Sequence, residues 1–305
     1  MTVFLLLLAK LLPLYAVIAL GYISGSVLKV QKESIAILLL YVLSPVIIFH
    51  GVYTTEIHLG VLLLPIFFFV SACVLCALAY LLGGFVWKDN TRNIFAYSAA
   101  TGNTGYFGIP VAMALLGSDV LGQVVLATMG LVFYESTLGF FITARGNHTI
   151  RESIRRLLGL PSLYGLLLGL ALNLGHIHLP ESYFSLAENF RGAYSILGMM
   201  IIGLGVSGFK KLELDIPFLG LSFLAKFFLW PVYTFLIVTL DRNTLHLLTP
   251  TMHSILLLLS LMPMAANTVV LATALHVKPE KAALGVLSTT LFALFFIPLV
   301  MGLIR

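Results

Sequence analysis

The chain is poor in charge. Of 305 residues only 10% are Asp, Glu, Lys or Arg, against 60% hydrophobic ones, and the mean hydropathy is +1.07. Too little polar surface remains to enclose a soluble domain, so the composition is that of a polytopic membrane protein. Cysteine is scarce as well. Cys73 and Cys76 form a C-x-x-C inside the apolar stretch from Phe67 to Leu78. A redox or zinc site needs polar surroundings or further ligands, so both are expected to be small packing residues. No Ser-His-Asp grouping, HExxH, Walker loop or pair of catalytic carboxylates is evident, and His176-x-His178 has no partner ligands in the sequence. No enzymatic activity, metal or cofactor is therefore expected. The net charge of +5 comes from Lys and Arg in short loops rather than from a basic patch, which argues against nucleic-acid binding. The first apolar run lacks a basic leader and carries Lys10 and Pro13 in its middle, so a retained helix is expected rather than a signal peptide.

What the chain has in quantity is apolar runs. They predict ten spans, near residues 3–24, 34–53, 59–83, 92–116, 119–144, 157–175, 183–209, 214–240, 250–276 and 281–304. A crossing takes about 20 residues, so this length is filled by spans and short loops. The alternation can be tested with the basic residues. One face receives Lys29, Lys32, Lys88, Arg92, Arg145, Arg151, Arg155, Arg156, Lys210, Lys211, Lys278 and Lys281, twelve in all; the other receives Arg242 and Arg305. The rich face is expected to be cytoplasmic, with both termini outside. The longest connection follows the fifth span. It divides the chain into a first repeat (1–145), a short cytoplasmic linker (146–156) and a second repeat (157–305). Five spans per half force the second repeat into the membrane from the opposite side, an inverted repeat.

Two spans carry compositions that a simple membrane helix does not need. In the fourth, Thr101-Gly102-Asn103-Thr104-Gly105-Tyr106-Phe107-Gly108-Ile109-Pro110 has three glycines, a proline and an amide. In the ninth, Leu261-Met262-Pro263-Met264-Ala265-Ala266-Asn267-Thr268 has a second proline and a second amide. Proline removes a backbone donor and glycine eases departure from helical geometry, so both helices are expected to break. In lipid an opened backbone is tolerated only against protein or a water-filled cavity, and paired breaks mark the binding site of a transporter. Asn103 and Asn267 are thus the leading substrate contacts; the alternative is that each caps its own broken helix. Gly102, Gly105 and Gly108 would equally serve helix packing.

Charges inside spans are costly and point to function. Glu135 and Lys226 lie deepest, in the fifth and eighth spans, and are expected to meet beside the breaks as a proton-responsive or anion-attracting pair. The alternatives are a purely structural ion pair, or Lys226 reaching an interface. Glu188 and Arg191, spaced i, i+3 on one helix, are expected to neutralise each other.

The motif Gly102 to Pro110, continuing through Val111-Ala112-Met113-Ala114-Leu115-Leu116-Gly117, resembles the auxin efflux carrier family, as a bacterial member related to the plant carriers. Met262-Pro263-Met264-Ala265-Ala266-Asn267-Thr268-Val269-Val270-Leu271-Ala272 is similar to that family's second crossover. The resemblance implies an all-α fold like that of bile-acid symporters and sodium/proton antiporters, with broken helices crossing. It implies a scaffold of spans 1, 2, 6 and 7 and a transport domain of spans 3–5 and 8–10, moving as an elevator. Carried over by position, substrate binding falls to Asn103, Pro110, Pro263 and Asn267. Thr101, Thr104 and Gln123, with the two asparagines, would supply oxygens to a coupling cation. The substrates implied are small organic anions such as malate, malonate or auxin-like acids. The partners implied are membrane lipid and a second copy, joined through spans 2 and 7. The place implied is the bacterial inner membrane. The rival class is a membrane receptor or non-transporting scaffold on the same fold, which would more often bring a soluble output domain. A channel is disfavoured because no ring of like charges lines a span.

Overall fold

The computed structural model describes residues 3–144, 151, 155, 158–207 and 215–304, and among these the structure is helical throughout, without strands. Arg145, Arg156, Lys210, Lys211, Arg305 and most of the 146–156 linker lie outside the described residues. In chain order the described elements are α1 (Val3–Ser26), α2 (Lys32–Thr54), α3 (Leu59–Val86), α4 (Thr91–Ala100), α5 (Ile109–Leu116) and α6 (Ser118–Thr143). They continue with α7 (Pro161–Leu174), α8 (Glu181–Ser207), α9 (Ile216–Leu245), α10 (Pro250–Ser260), α11 (Asn267–Ala274) and α12 (Pro279–Ile304).

Six of these, α1, α2, α3, α6, α9 and α12, are long and apolar enough to cross a membrane. The others are shorter, apart from α8. The fourth and ninth apolar runs are divided into pieces of 10 and 8 and of 11 and 8 residues. Helix α7 is 14 residues long, and α8 carries Glu181, Glu188 and Arg191 in its first half. Large apolar side chains stand exposed along the long helices, among them Phe85 on α3, Phe235 and Leu236 on α9 and Phe295 and Leu303 on α12. Such a surface belongs in lipid. The chain is an all-helical integral membrane protein.

It forms two compact units, each assembled from separated stretches of sequence. The first comprises Met1–Leu62, Gly105–Leu126 and Leu158–Phe209; the second comprises Leu63–Thr104, Ala127–Leu157 and Lys210–Arg305. In the first unit α1 lies directly against α8. A methyl group at Gly21 would stand 2.1 Å from the Met200 carbonyl oxygen, and one at Gly203 would stand 1.9 Å from that of Ile18. Only glycine allows the two backbones so close, which is how helices gain packing energy where lipid gives no hydrophobic drive. In the same unit the Asn173 amide donates to the carbonyls of Val52, Tyr53 and Thr55 at 3.1, 2.8 and 2.8 Å, closing the carboxyl end of α2.

In the second unit an aromatic cluster joins two helices: Phe223 and Phe227 of α9 meet Phe292 and Phe296 of α12 at tilted or edge-on angles, the closest ring centroids being 4.7 Å apart. Phe68 of α3 lies on Trp230 of α9. Helix α9 begins at a well-made cap: Asp215 accepts the Phe218 N–H at 2.9 Å, with Pro217 in the first turn.

Candidate functional site

The two breaks meet within the second unit. Helix α4 ends at Ala100, and Thr101 turns to an extended conformation (φ −110°, ψ 161°). The backbone stays open through Gly102 and Asn103 before a π-helical turn over Thr104–Gly108 leads into α5. Helix α10 ends at Ser260, and the chain is open from Met262 to Ala265 before α11 begins at Asn267. Across the gap the Asn103 N–H donates to the Pro263 carbonyl at 2.9 Å. The Met264 N–H donates to Thr289 Oγ1 of α12 at 3.2 Å. Two of the N–H groups freed at the breaks thus find partners in protein, as the hydrocarbon interior favours.

Gly102 lets the two breaks approach. A methyl there would lie 3.3 Å from Lys226 Nζ and 3.4 Å from Met262 Cβ, tight on two sides at once. Lys226 is 2% exposed and donates to the Thr101 carbonyl at 2.7 Å. Its ammonium also lies 5.1 Å from the centroid of Trp230, whose indole N–H donates to the Ala99 carbonyl at 2.8 Å. Two carbonyls left open by the end of α4 are therefore taken by two side chains one turn apart on α9. On the other side of Thr101, its hydroxyl donates to Glu135, and the second oxygen of that carboxylate accepts the Asn267 amide at 3.0 Å. Glu135 also interacts electrostatically with Lys226. Both charged residues sit on π-helical turns, at Glu135–Gly139 and Ala225–Leu229, a local widening of the helix that is frequent at functional sites.

Seven of the residues singled out in the sequence, Thr101, Asn103, Thr104, Pro263, Asn267, Glu135 and Lys226, are therefore in this unit. Hydrogen bonds link six of them, while Thr104 is buried in the turn that follows Asn103. Lys226 is held in the interior, not drawn to an interface. Pro110 and Gln123 belong to the other compact unit, Pro110 in the first turn of α5 and Gln123 near the start of α6. Asn103 is 4% exposed, and its side-chain nitrogen has no hydrogen-bond partner among the described residues. Thr268 Oγ1, also buried, has none either. Buried donors are rarely left so, and where they are, a ligand or water is the usual reason. Lys226 with its carboxylate neighbour Glu135, an unpartnered amide and open backbone thus come together at the breaks.

Sequence reasoning missed two features of this unit. One is Trp230, whose only signal is its place four residues after Lys226, on the same helical face. The other is a buried pair in which His253 Nε2 lies 2.8 Å from Asp241 Oδ2. Asp241 further accepts the N–H groups of Leu247 and Leu248, closing the end of α9. Elsewhere, Glu188 and Arg191 form an ion pair at i, i+3, and Cys73 and Cys76 are free thiols, as expected. Among the described residues no group of three His, Cys, Asp or Glu is placed to hold a metal.

Paired helix breaks around a polar site are an arrangement that solute carriers use, and similarity to known proteins points the same way. Residues 6–154 match the family described as "Membrane transport protein". Over 297 residues the chain is 27% identical to an uncharacterized transporter of Methanocaldococcus jannaschii, the match covering 92% of each chain. Both similarities are to membrane transport proteins and support a transporter rather than an enzyme.

Proposed function

We propose that the chain is a secondary carrier of small organic anions, carboxylates such as malate, malonate or auxin-like acids. The single observation that carries this reading is the buried Lys226 bonded to the Thr101 carbonyl, two residues from Asn103, whose side-chain nitrogen is unpartnered. A carboxylate needs a positive field and oriented donors, and both converge where the two helices break. Ten spans in two inverted repeats of five, with both termini outside a bacterial inner membrane, remain the topology that best accommodates the basic-residue bias. An elevator-like motion of spans 3–5 and 8–10 against spans 1, 2, 6 and 7 is the mechanism proposed. Its support is that the stretches of the first, second, sixth and seventh spans cluster in one compact unit and most of the others cluster in the second. A homodimer through spans 2 and 7 rests on the family resemblance.

Coupling to protons or to the membrane potential is proposed through Glu135. Protonating it would weaken its hold on Thr101 and Asn267 and leave Lys226 free to attract substrate. The test is uptake of labelled malate, malonate, succinate and indole-3-acetate into proteoliposomes, with and without sodium. Replacing both Asn103 and Asn267 by alanine should abolish transport while membrane insertion persists. Transport retained by the double variant would remove the site assignment, and inertness of the native protein toward every acid would favour a receptor.

A further inference from the structure

The corner between α3 and α4 holds a cavity of about 620 Å³ that the carrier reading leaves unused. Tyr80 and Gly84 line it from the last two turns of α3, with Trp87, Lys88 and Arg92 beyond and Phe141 of α6 also on the wall. Its cation is built in. The Arg92 guanidinium carbon stacks 3.6 Å from the centroid of the Tyr80 ring, and its Nε donates to the Tyr80 carbonyl at 2.6 Å. Gly84 makes the room, since a methyl there would come within 2.9 Å of the guanidinium carbon. The two terminal nitrogens of Arg92 have no hydrogen-bond partner among the described residues and are left to the cavity. Lys88 gives one N–H to the Gly84 carbonyl at 2.8 Å and keeps two. The one acid on the wall, Asp89, is already engaged, accepting the Thr91 N–H at 3.1 Å and pairing with Lys278 at 3.1 Å. Lys88 and Arg92 on the wall are thus left without an acidic partner among the described residues.

We infer that this cavity is a binding site for the phosphate group of an anionic phospholipid. A forked guanidinium and an ammonium match phosphate oxygens, and a basic pocket at the end of a membrane helix fits a headgroup. The lipid source is favoured over free phosphate by what flanks the cavity. On the same two turns of α3, Leu81, Leu82, Phe85 and Val86 are exposed, Phe85 by 82%, a surface for acyl chains just below headgroup level. Lys88 and Arg92 also belong to the basic-rich face, where anionic headgroups attract them. A lipid there would brace the corner from which α4 runs to the break at Thr101.

The experiment measures thermal stability and native mass spectra of the purified full chain in detergent. The additions are dioleoyl phosphatidylglycerol, dioleoyl phosphatidylcholine or glycerol 1-phosphate. Phosphatidylglycerol should bind and stabilise, phosphatidylcholine should not, and Lys88→Gln, at an exposed position, should weaken the effect roughly fivefold, with a similar further loss on adding Arg92→Gln. Lys29→Gln and Lys32→Gln, on the same basic-rich face but in the other compact unit, should leave it unchanged. Equal binding of both lipids, or equal loss from the Lys29 and Lys32 replacements, would overturn the site. Glycerol 1-phosphate acting as strongly as the lipid would overturn the lipid assignment and make the cavity a soluble-phosphate site.

Discussion

The two breaks share a composition but differ in construction. At the first, the asparagine is buried, its backbone N–H bonds the opposite break and its side-chain nitrogen is unpartnered. At the second, the asparagine is exposed, opens a helix, and spends its amide on Glu135. The prolines differ in the same sense. Pro263 lies inside its break and lends its carbonyl to Asn103, whereas Pro110 follows its break and starts α5. Asn103 is thus left available to a ligand, while Asn267 helps to fix the carboxylate between the breaks. In the carrier proposed above, Asn103 is the binding residue and Asn267 the positioning one.

The most severe way to break this comparison is to remove the group that touches both sides. Glu135→Ala strands the Thr101 hydroxyl and the Asn267 amide and leaves Lys226 without its countercharge, a loss of about 3–5 kcal/mol for a buried charge. Denaturation in detergent should show it together with loss of transport, and unchanged stability would remove Glu135 from its bridging place. Next in size is Gly102→Val, where the added carbons meet Lys226 and Met262. Overpacking of this kind costs about 1–3 kcal/mol, and wild-type stability in that variant would mean that the breaks do not need their close approach.

The sharpest comparison sets the asparagines side by side. Asn267→Ala loses a hydrogen bond to a carboxylate and should cost about 1.5–3 kcal/mol, whereas Asn103→Ala removes a donor that has no partner and should cost less. Transport should show the opposite order, with Asn103→Ala the more damaging. Matching effects in both assays would show the two breaks to be equivalent after all. The smallest effect lies at the cap of α9, one residue before its apolar span. Burial raises the Asp215 carboxyl, but the Lys281 ammonium at 2.7 Å and the Phe218 N–H outweigh it and hold the group below its ordinary value of 3.8. The folded value being the lower, this pair contributes stability above pH 3.8 that is lost as pH falls through the folded value. Asp215→Asn should flatten that acid-range decline in melting temperature, and an unaltered profile would assign it to other groups.

Much of the site was legible in the sequence, because breaks and charges are rare and costly in an apolar chain. Proline, glycine and asparagine stand out within spans, and so do Glu135 and Lys226. Trp230 and the Asp241–His253 pair were not legible. A tryptophan in a membrane span has many ordinary uses, and the histidine lies twelve residues from its partner, across a turn whose geometry the sequence does not fix. Pro110 and Gln123, expected with spans 4 and 5 in the transport domain, fall in the other unit, because the chain passes between units after Thr104 and returns after Leu126, where no composition changes.

The sequence by itself determined that the chain lives in a membrane and where its helices fail. Both follow from the cost of placing polar groups in lipid, which is paid residue by residue. Tertiary structure alone decided that the failures meet, that Lys226 and Trp230 satisfy the carbonyls they expose, and that Asn103 remains open while Asn267 is engaged. Those outcomes depend on which groups come within hydrogen-bond reach across more than a hundred residues of chain, a matter of packing between helices that periodicity along one helix does not record.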